Sequence, residues 1–268
     1  MEALGYICSV IIGLTLGVLG SGGSILTVPV LVYLLHFNPL VATGYSLFIV
    51  GLTSISGAFS YMKKDLVDYK TAVVFAVPSF ISVYIVRRYV LSLIPPVVFQ
   101  SEHFVLRKEV LIMVVFGVLM ISAAYSMIRN KNYDQAETKS KAAFNYPMIL
   151  TQGFLVGAMT GLVSVGGGFL IIPSLVLFGR VPIKMAVGTS LVIIATNAFI
   201  GFLGDLANQA TIDWVFLFKF CLFSVVGIIL GSNIARHIPA AKLKPLFGWF
   251  VLMMGCYVVI HELFIRGY

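Results

Sequence analysis

Polar residues in this chain collect in short clusters, and the apolar stretches between them show no polar–apolar alternation. Their lengths suit bilayer-spanning helices rather than barrel strands. Five segments fill the first half, about Ala3 to Leu19, Ser24 to Leu35, Val41 to Met62, Thr71 to Leu93 and Val110 to Ile128. Five more follow, about Pro147 to Val163, Phe169 to Phe178, Met185 to Leu203, Trp214 to Ala235 and Leu246 to Phe264. The second segment of each half falls short of the roughly 20 helical residues that a hydrocarbon core requires, which predicts a half-helix. A hydrophilic run between the halves divides the chain into a first membrane repeat (1–128), a polar cytoplasmic linker (129–145) and a second membrane repeat (146–268).

The halves are related to each other. A shift of 144 lays Gly13 to Gly57 on Gly157 to Gly201 without a gap, with 14 identities in 45 pairs; so biased a composition gives about 4 by chance. Further along the shift becomes 145, pairing Val67-Asp68-Tyr69 with Ile212-Asp213-Trp214. An odd number of crossings per half inverts the second copy relative to the first, and a re-entrant pair in place of the first two segments leaves the number odd. The expected architecture is therefore all-α, with two inverted-topology repeats of about five helical segments. Each repeat opens on a broken or re-entrant Gly-rich helix pair. Inverted repeats are a recurring plan of secondary transporters, whose sites lie where broken helices meet near the midplane.

Composition narrows the class. Hydrophobic residues make up 60% of the chain, charged residues 10%, and the mean hydropathy is +1.04, which excludes a soluble domain with an ordinary charged surface. The net charge of +8 raises nucleic acid as a partner, but Lys and Arg sit in the connections, where membrane topology places them. One face receives Lys63, Lys64, Lys70, Arg129, Lys131, Lys139, Lys141, Arg180, Lys184, Arg236, Lys242 and Lys244; the other receives Arg87, Arg88, Arg107, Lys108 and Arg266. The richer face reads as cytoplasmic, which puts both termini outside a cell membrane. Met1-Glu2 lacks the cationic start of a signal peptide, so Ala3 to Leu19 reads as part of the repeat.

The candidate chemistry lies in the two breaks, Gly20-Ser21-Gly22-Gly23-Ser24 and Ser164-Val165-Gly166-Gly167-Gly168. Non-helical backbone at membrane depth is tolerated where protein, water or a ligand satisfies it. Glycine lets a ligand approach the main chain closely. The short helices that follow begin with unpaired N–H groups and carry roughly half a positive charge at that end. Two such starts converging make an anion site that needs no cationic side chain. Ser21, Ser24 and Ser164 can add hydroxyls, as can the aligned Ser46 and Ser190, which can equally bond their own helices. Asn197 is costlier to bury unpaired and joins the candidates. Pro29 and Pro173 fall at the same point of each copy and read as elements that end or kink the short helices. Gly13, Gly17, Gly157 and Gly161 have the spacing of close helix packing.

No enzyme, cofactor or metal chemistry is expected. The ten carboxylates lie at connections or segment ends, and His36, His103, His237 and His261 do not cluster. Lys219 stands out as an intramembrane cation that either snorkels or meets substrate. Cys8, Cys221 and Cys256 read as buried packing thiols.

The motifs Gly-Ser-Gly-Gly-Ser-Ile-Leu-Thr-Val-Pro and Val-Gly-Gly-Gly-Phe-Leu-Ile-Ile-Pro, each followed by an Ala-x-Gly-x-Ser-Leu segment, resemble the sulfite exporter TauE/SafE family, also called the toluene sulfonate uptake permease family. The resemblance covers nearly the whole chain. It implies transport of small sulfur-containing anions such as sulfite or organosulfonates, and it carries the motif residues over to Gly20, Ser21, Gly22, Gly23, Pro29, Gly166, Gly167, Gly168 and Pro173. The copies differ where Ser24 faces Gly168 and where Ser21 faces Val165, so symmetric half-sites are not expected.

The function expected from the whole chain is a secondary transporter, an exporter by preference, working by alternating access around a midplane anion site. No carboxylate is read deep in the repeat core to carry the proton that import would need, which argues for efflux; His36, Asp205 or the substrate's own protonation are the sources of coupling left for import. An anion channel of the same fold, a proton-coupled uptake permease and a non-transporting receptor remain as alternatives. The partners are a small anion and the bilayer, with a homodimer open.

Overall fold

Helices begin and end where polar clusters interrupt the apolar pattern. The computed structural model describes residues 2–20, 23–101, 104–129, 146–163, 168–177, 181–206, 212–234 and 240–264. In order, these form α1 (Glu2–Leu19), α2 (Ser24–Pro29) running straight into a π-helical turn η1 (Val30–Leu34), α3 (Pro39–Met62), and α4 (Tyr69–Ile85) with a second π turn η2 (Val86–Val90) and α5 (Leu91–Leu93). A hairpin of β1 (Val97–Ser101) and β2 (Phe104–Arg107) leads into α6 (Lys108–Arg129). The second half comprises α7 (Tyr146–Val163), α8 (Gly168–Leu177), α9 (Ile183–Leu206), α10 (Trp214–Ile234) and α11 (Ala240–Phe264). Asn38 caps α3 by accepting from the Leu40 N–H, with Pro39 as the first helical residue. Asp68 caps α4 through the N–H groups of Lys70 and Thr71, and Asp213 accepts from Phe216 at the start of α10.

The β-hairpin departs from the expected all-α class. Pro95-Pro96 stops the preceding helix, and the run Val97-Val98-Phe99 that follows has β-branched and aromatic residues suited to a strand. Its register pairs Gln100 with Val105 and Ser101 with Phe104, with an irregularity between Val97 and Phe99.

Among the described residues four helices are long and apolar enough to cross a membrane: Pro39–Met62, Tyr69–Leu93, Met185–Asp205 and Trp214–Ile234. Shorter apolar helices, Ser24–Leu34 among them, lie beside them. Exposed positions along the helices are themselves apolar, for example Ile7, Phe59, Val215, Leu222 and Met253. A surface of this kind suits lipid rather than water.

Each half packs chiefly on the other. The most extensive contacts run between α1 and α10, α7 and α4, α3 and α9, and α6 and α11. Glycine makes the first two crossings possible. A Cβ on Gly13 would stand 2.0 Å from the Ser224 carbonyl oxygen, and one on Gly157 would stand 2.3 Å from that of Ser79. Gly17 faces Ile228 and Ser232, while Gly161 faces Val83 and Val86, so α1 runs parallel to α10 and α7 parallel to α4. The GxxxG glycines therefore serve close packing, as their spacing predicts. By contrast α3 and α9 are antiparallel, with Gly51 against Phe199 and Gly57 against Leu191.

These directions gather polar residues at two ends of the bundle. One end, called here the near end, holds Asn38, Asp213 and the start of α6, where Asn38 donates to Glu109 and the Asp213 N–H donates to the Tyr45 hydroxyl at 2.8 Å. At the far end the Asp68 N–H donates to Thr189 Oγ1 at 2.9 Å. Of the cysteines, Cys221 is buried, Cys8 is half-buried and Cys256 is exposed; the packing role expected of all three fits Cys221 best.

Candidate anion site at the helix breaks

The first break is a turn that only glycine makes easily. Gly20 has φ +72°, its N–H still reaches Leu16 O at 2.8 Å, and a Cβ there would lie 2.4 Å from Val187 Cγ1. The chain then doubles back. At Gly23 a Cβ would meet Ile12 O at 2.3 Å and Leu16 N at 2.5 Å, so α2 starts beside the middle of α1. At its other end Leu35 packs on Gly5. All six residues of α2 are buried. Ser21 and Gly22 lie outside the described residues, as do Ser164, Gly166 and Gly167 of the second break. Gly168 is the first residue of α8. That helix turns back along α7, with Ser174 Oγ donating to Gln152 Oε1 at 3.5 Å, and α8 touches α2.

Pro29 does not end its helix. The helical run continues through it and widens into the π turn η1. With no N–H to donate and a ring pressing on the preceding turn, proline loosens the helix instead of stopping it. Pro173 likewise falls inside α8.

The polar candidates sort by their partners. Ser24 is fully buried at the start of α2. On α3, Ser46 is fully buried and its hydroxyl has no partner among the described residues. Thr27 on α2, which reading of the sequence passed over, is in the same condition; its sequence signal was a lone hydroxyl inside the apolar half-helix. Ser190 is engaged by backbone, donating to Val187 O at 2.8 Å and standing 3.4 Å from Gly20 O. Asn197 ties α9 to α4 by donating to Ser79 Oγ at 2.6 Å, while its Oδ1 is buried without a partner among the described residues.

Charge inside the fold differs from expectation. Lys219 is exposed on α10; among the described residues the buried cation is Arg87, assigned from sequence to a connection but found in the π turn η2 within the Tyr69–Leu93 span. Arg87 is 2% exposed and its Nη1 donates to Asp205 Oδ2 at 2.7 Å. Carboxylates at segment ends are also not all at the surface. Asp205 is buried on α9, and Glu262 on α11 is fully buried and accepts from the Tyr33 hydroxyl at 3.0 Å. Two carboxylates are therefore buried near the ends of α9 and α11, Asp205 being one of the groups to which coupling is assigned from the sequence. Among the described residues no three His, Cys, Asp or Glu side chains gather as a metal site. A cleft of about 320 Å³ between α3 and α9, lined by Ile55, Phe59, Met62, Ala195, Thr196 and Phe199, is apolar and offers an anion no charged group.

Long apolar helices with apolar exposed faces, packed about buried polar and charged side chains, define a multi-pass membrane protein. Sequence comparison gives the family: residues 6–258 match the Sulfite exporter TauE/SafE family. A probable membrane transporter protein of Xylella fastidiosa (strain 9a5c) is 28% identical over 93% of this chain and 91% of its own length. The probable membrane transporter protein YunE of Bacillus subtilis is 25% identical over 97% of this chain and 100% of its own length. A third, YdhB of the same organism, is 25% identical over 87% and 90%. No solved structure matches. The chain belongs to the sulfite exporter TauE/SafE family and is a membrane transporter.

Proposed function

We propose that the chain carries a small sulfur-containing oxyanion, such as sulfite or an organosulfonate, across the cell membrane by alternating access. The anion sits where α2 and α8 begin. The observation that carries this reading is two buried hydroxyls, Thr27 on the half-helix α2 and Ser46 on α3, which packs against α2, each without a partner among the described residues; α2 starts from a glycine turn and touches its counterpart α8. Buried donors left unpaired are costly, and an oxyanion supplies the acceptors they lack. Gly20, Ser21, Gly22, Gly23 and Ser24 form one half-site; Ser164, Gly166, Gly167 and Gly168 form the other. Ser190 and Asn197 hold the surrounding frame.

The moving parts in this reading are two inverted repeats. Support comes from contacts that recur when the halves are exchanged. Gly13 against Ser224 corresponds to Gly157 against Ser79, and Asp213 to Tyr45 corresponds to Asp68 to Thr189. With the lysine-rich far end in the cytoplasm, the near end and both termini face outward. An anion leaving a negative interior then gains about 2.3 kcal/mol per charge per 100 mV, so efflux needs no second ion.

Glu262 supports a second reading, proton-coupled uptake. It is a fully buried carboxyl held by Tyr33, which lies on the π turn that continues from the first break. Proteoliposome flux of sulfite, thiosulfate, sulfate and a small sulfonate, at imposed voltage and imposed pH gradient, separates the two. Efflux driven by voltage alone favours the exporter, and inward flux driven only by a pH gradient favours the permease. Binding without any flux refutes both.

A further inference from the structure

We propose that Arg87 is a second anion-recognition residue of this transporter, holding the substrate oxyanion between the break-side site and the near end of the bundle. The proposal rests on the transport reading above and adds to it the residue that selects oxyanions.

The side chain is 2% exposed, yet among the described residues only one of its nitrogens finds a partner. Nη1 donates to Asp205 Oδ2 at 2.7 Å, while Nε and Nη2 are buried without a partner among the described residues. Those two nitrogens form one edge of the planar guanidinium, with parallel N–H bonds that match two oxygens of a single oxyanion. Asp205 therefore holds the group from one side and leaves the bidentate edge open. A structural ion pair alone gives no reason to bury two unsatisfied donors.

Local charge agrees. Lys108, at the start of α6, donates to the Leu91 carbonyl one turn beyond Arg87. Two cations and one carboxylate leave this corner one positive charge in excess, which a monoanion neutralises. Backbone geometry agrees as well. Arg87 lies in the π turn η2, and a π turn within an α-helix is costly and frequent at functional sites. The corresponding helix α10 is regular throughout and carries Ser232 at the matching position, 145 residues on. Gly161, two residues before α7 ends at Val163, faces Val86, so Arg87 lies at the level where α7 ends.

Because the side chain is almost wholly enclosed, the ligand is a free small oxyanion and not a lipid headgroup. The test is made in phospholipid-free detergent, by protection against thermal unfolding with sulfite, methanesulfonate and chloride, and in liposomes, by sulfite flux. Arg87→Lys keeps the charge and the ion pair but loses the bidentate edge. It is expected to fold, to lose about tenfold to a hundredfold in apparent sulfite affinity, and to lose the preference for sulfite over chloride. Arg87→Gln with Asp205→Asn leaves the net charge of the corner unchanged and should melt near the wild type while losing sulfite protection. Unchanged sulfite affinity and selectivity in Arg87→Lys overturn the proposal even if its melting temperature falls, since that is the result of a purely structural pair. A wild type that carries no oxyanion overturns the transport reading and this proposal with it.

Discussion

Two corners of the bundle are built alike and charged differently. At the near end, α4 meets α9 through Arg87 and Asp205. At the far end, α10 meets α3 through Ser232 and Ser60, whose hydroxyls are 3.3 Å apart, with Tyr61 donating to the Gly17 carbonyl. Ser232 stands 145 residues after Arg87, and Tyr61 stands 144 before Asp205. Backbone contacts are kept between the two halves because a helix crossing with carbonyls 2.0–2.3 Å from a would-be Cβ leaves no freedom in residue type. Side chains at the ends of the same helices are under no such restraint. The two corners thus present a fixed cation at one end and neutral hydroxyls at the other.

Breaking the charged corner has the largest expected effect. Arg87→Gln alone leaves Asp205 buried without its partner and is expected to cost about 3–5 kcal/mol of stability, measured as a loss of folded protein on heating in detergent. Adding Asp205→Asn should recover most of it. At the matching neutral corner, Ser232→Ala should barely move the same curve. If it costs as much as Arg87→Gln, the comparison fails.

Next come the crossings. Gly13→Ala and Gly157→Ala each press a methyl into a facing carbonyl and are expected to cost about 1–3 kcal/mol, and to cost similar amounts because the two contacts are alike. Unequal losses in thermal unfolding would show that one crossing gives way more easily. Asn197→Ala removes the bond to Ser79 and is expected to cost about 1–2 kcal/mol, whereas Lys219→Gln, on an exposed site, should leave both melting and flux unchanged.

How much of this was legible beforehand follows from what each signal depends on. The segment boundaries were readable because burial in lipid imposes apolar runs, and Ser24 to Leu35 against Ser24–Leu34 shows how closely. The glycine turn was readable because Gly20 lies in a run that no helix tolerates well. Packing at Gly13 and Gly157 followed from spacing alone. Arg87 was misread because its place beside Arg88, near the end of an apolar segment, looks the same whether the side chain faces lipid headgroups or the interior. A π turn decides that, and one residue of register is invisible in composition. Glu262 was missed for the same reason: its burial depends on Tyr33, 229 residues away. The β-hairpin was hidden by the apolar segments around it.

Substitution at Gly23 is a poor test of the site, since any side chain there meets the α1 backbone and lost flux would report lost packing. The hydroxyls offer a cleaner one. Thr27→Val and Ser46→Ala remove two buried donors that have no partner among the described residues, with almost no change of shape. Voltage-driven sulfite flux from liposomes carrying this double variant tests the central claim most directly. The account predicts a loss of about tenfold or more with an unchanged or raised melting temperature; flux equal to the wild type would contradict it.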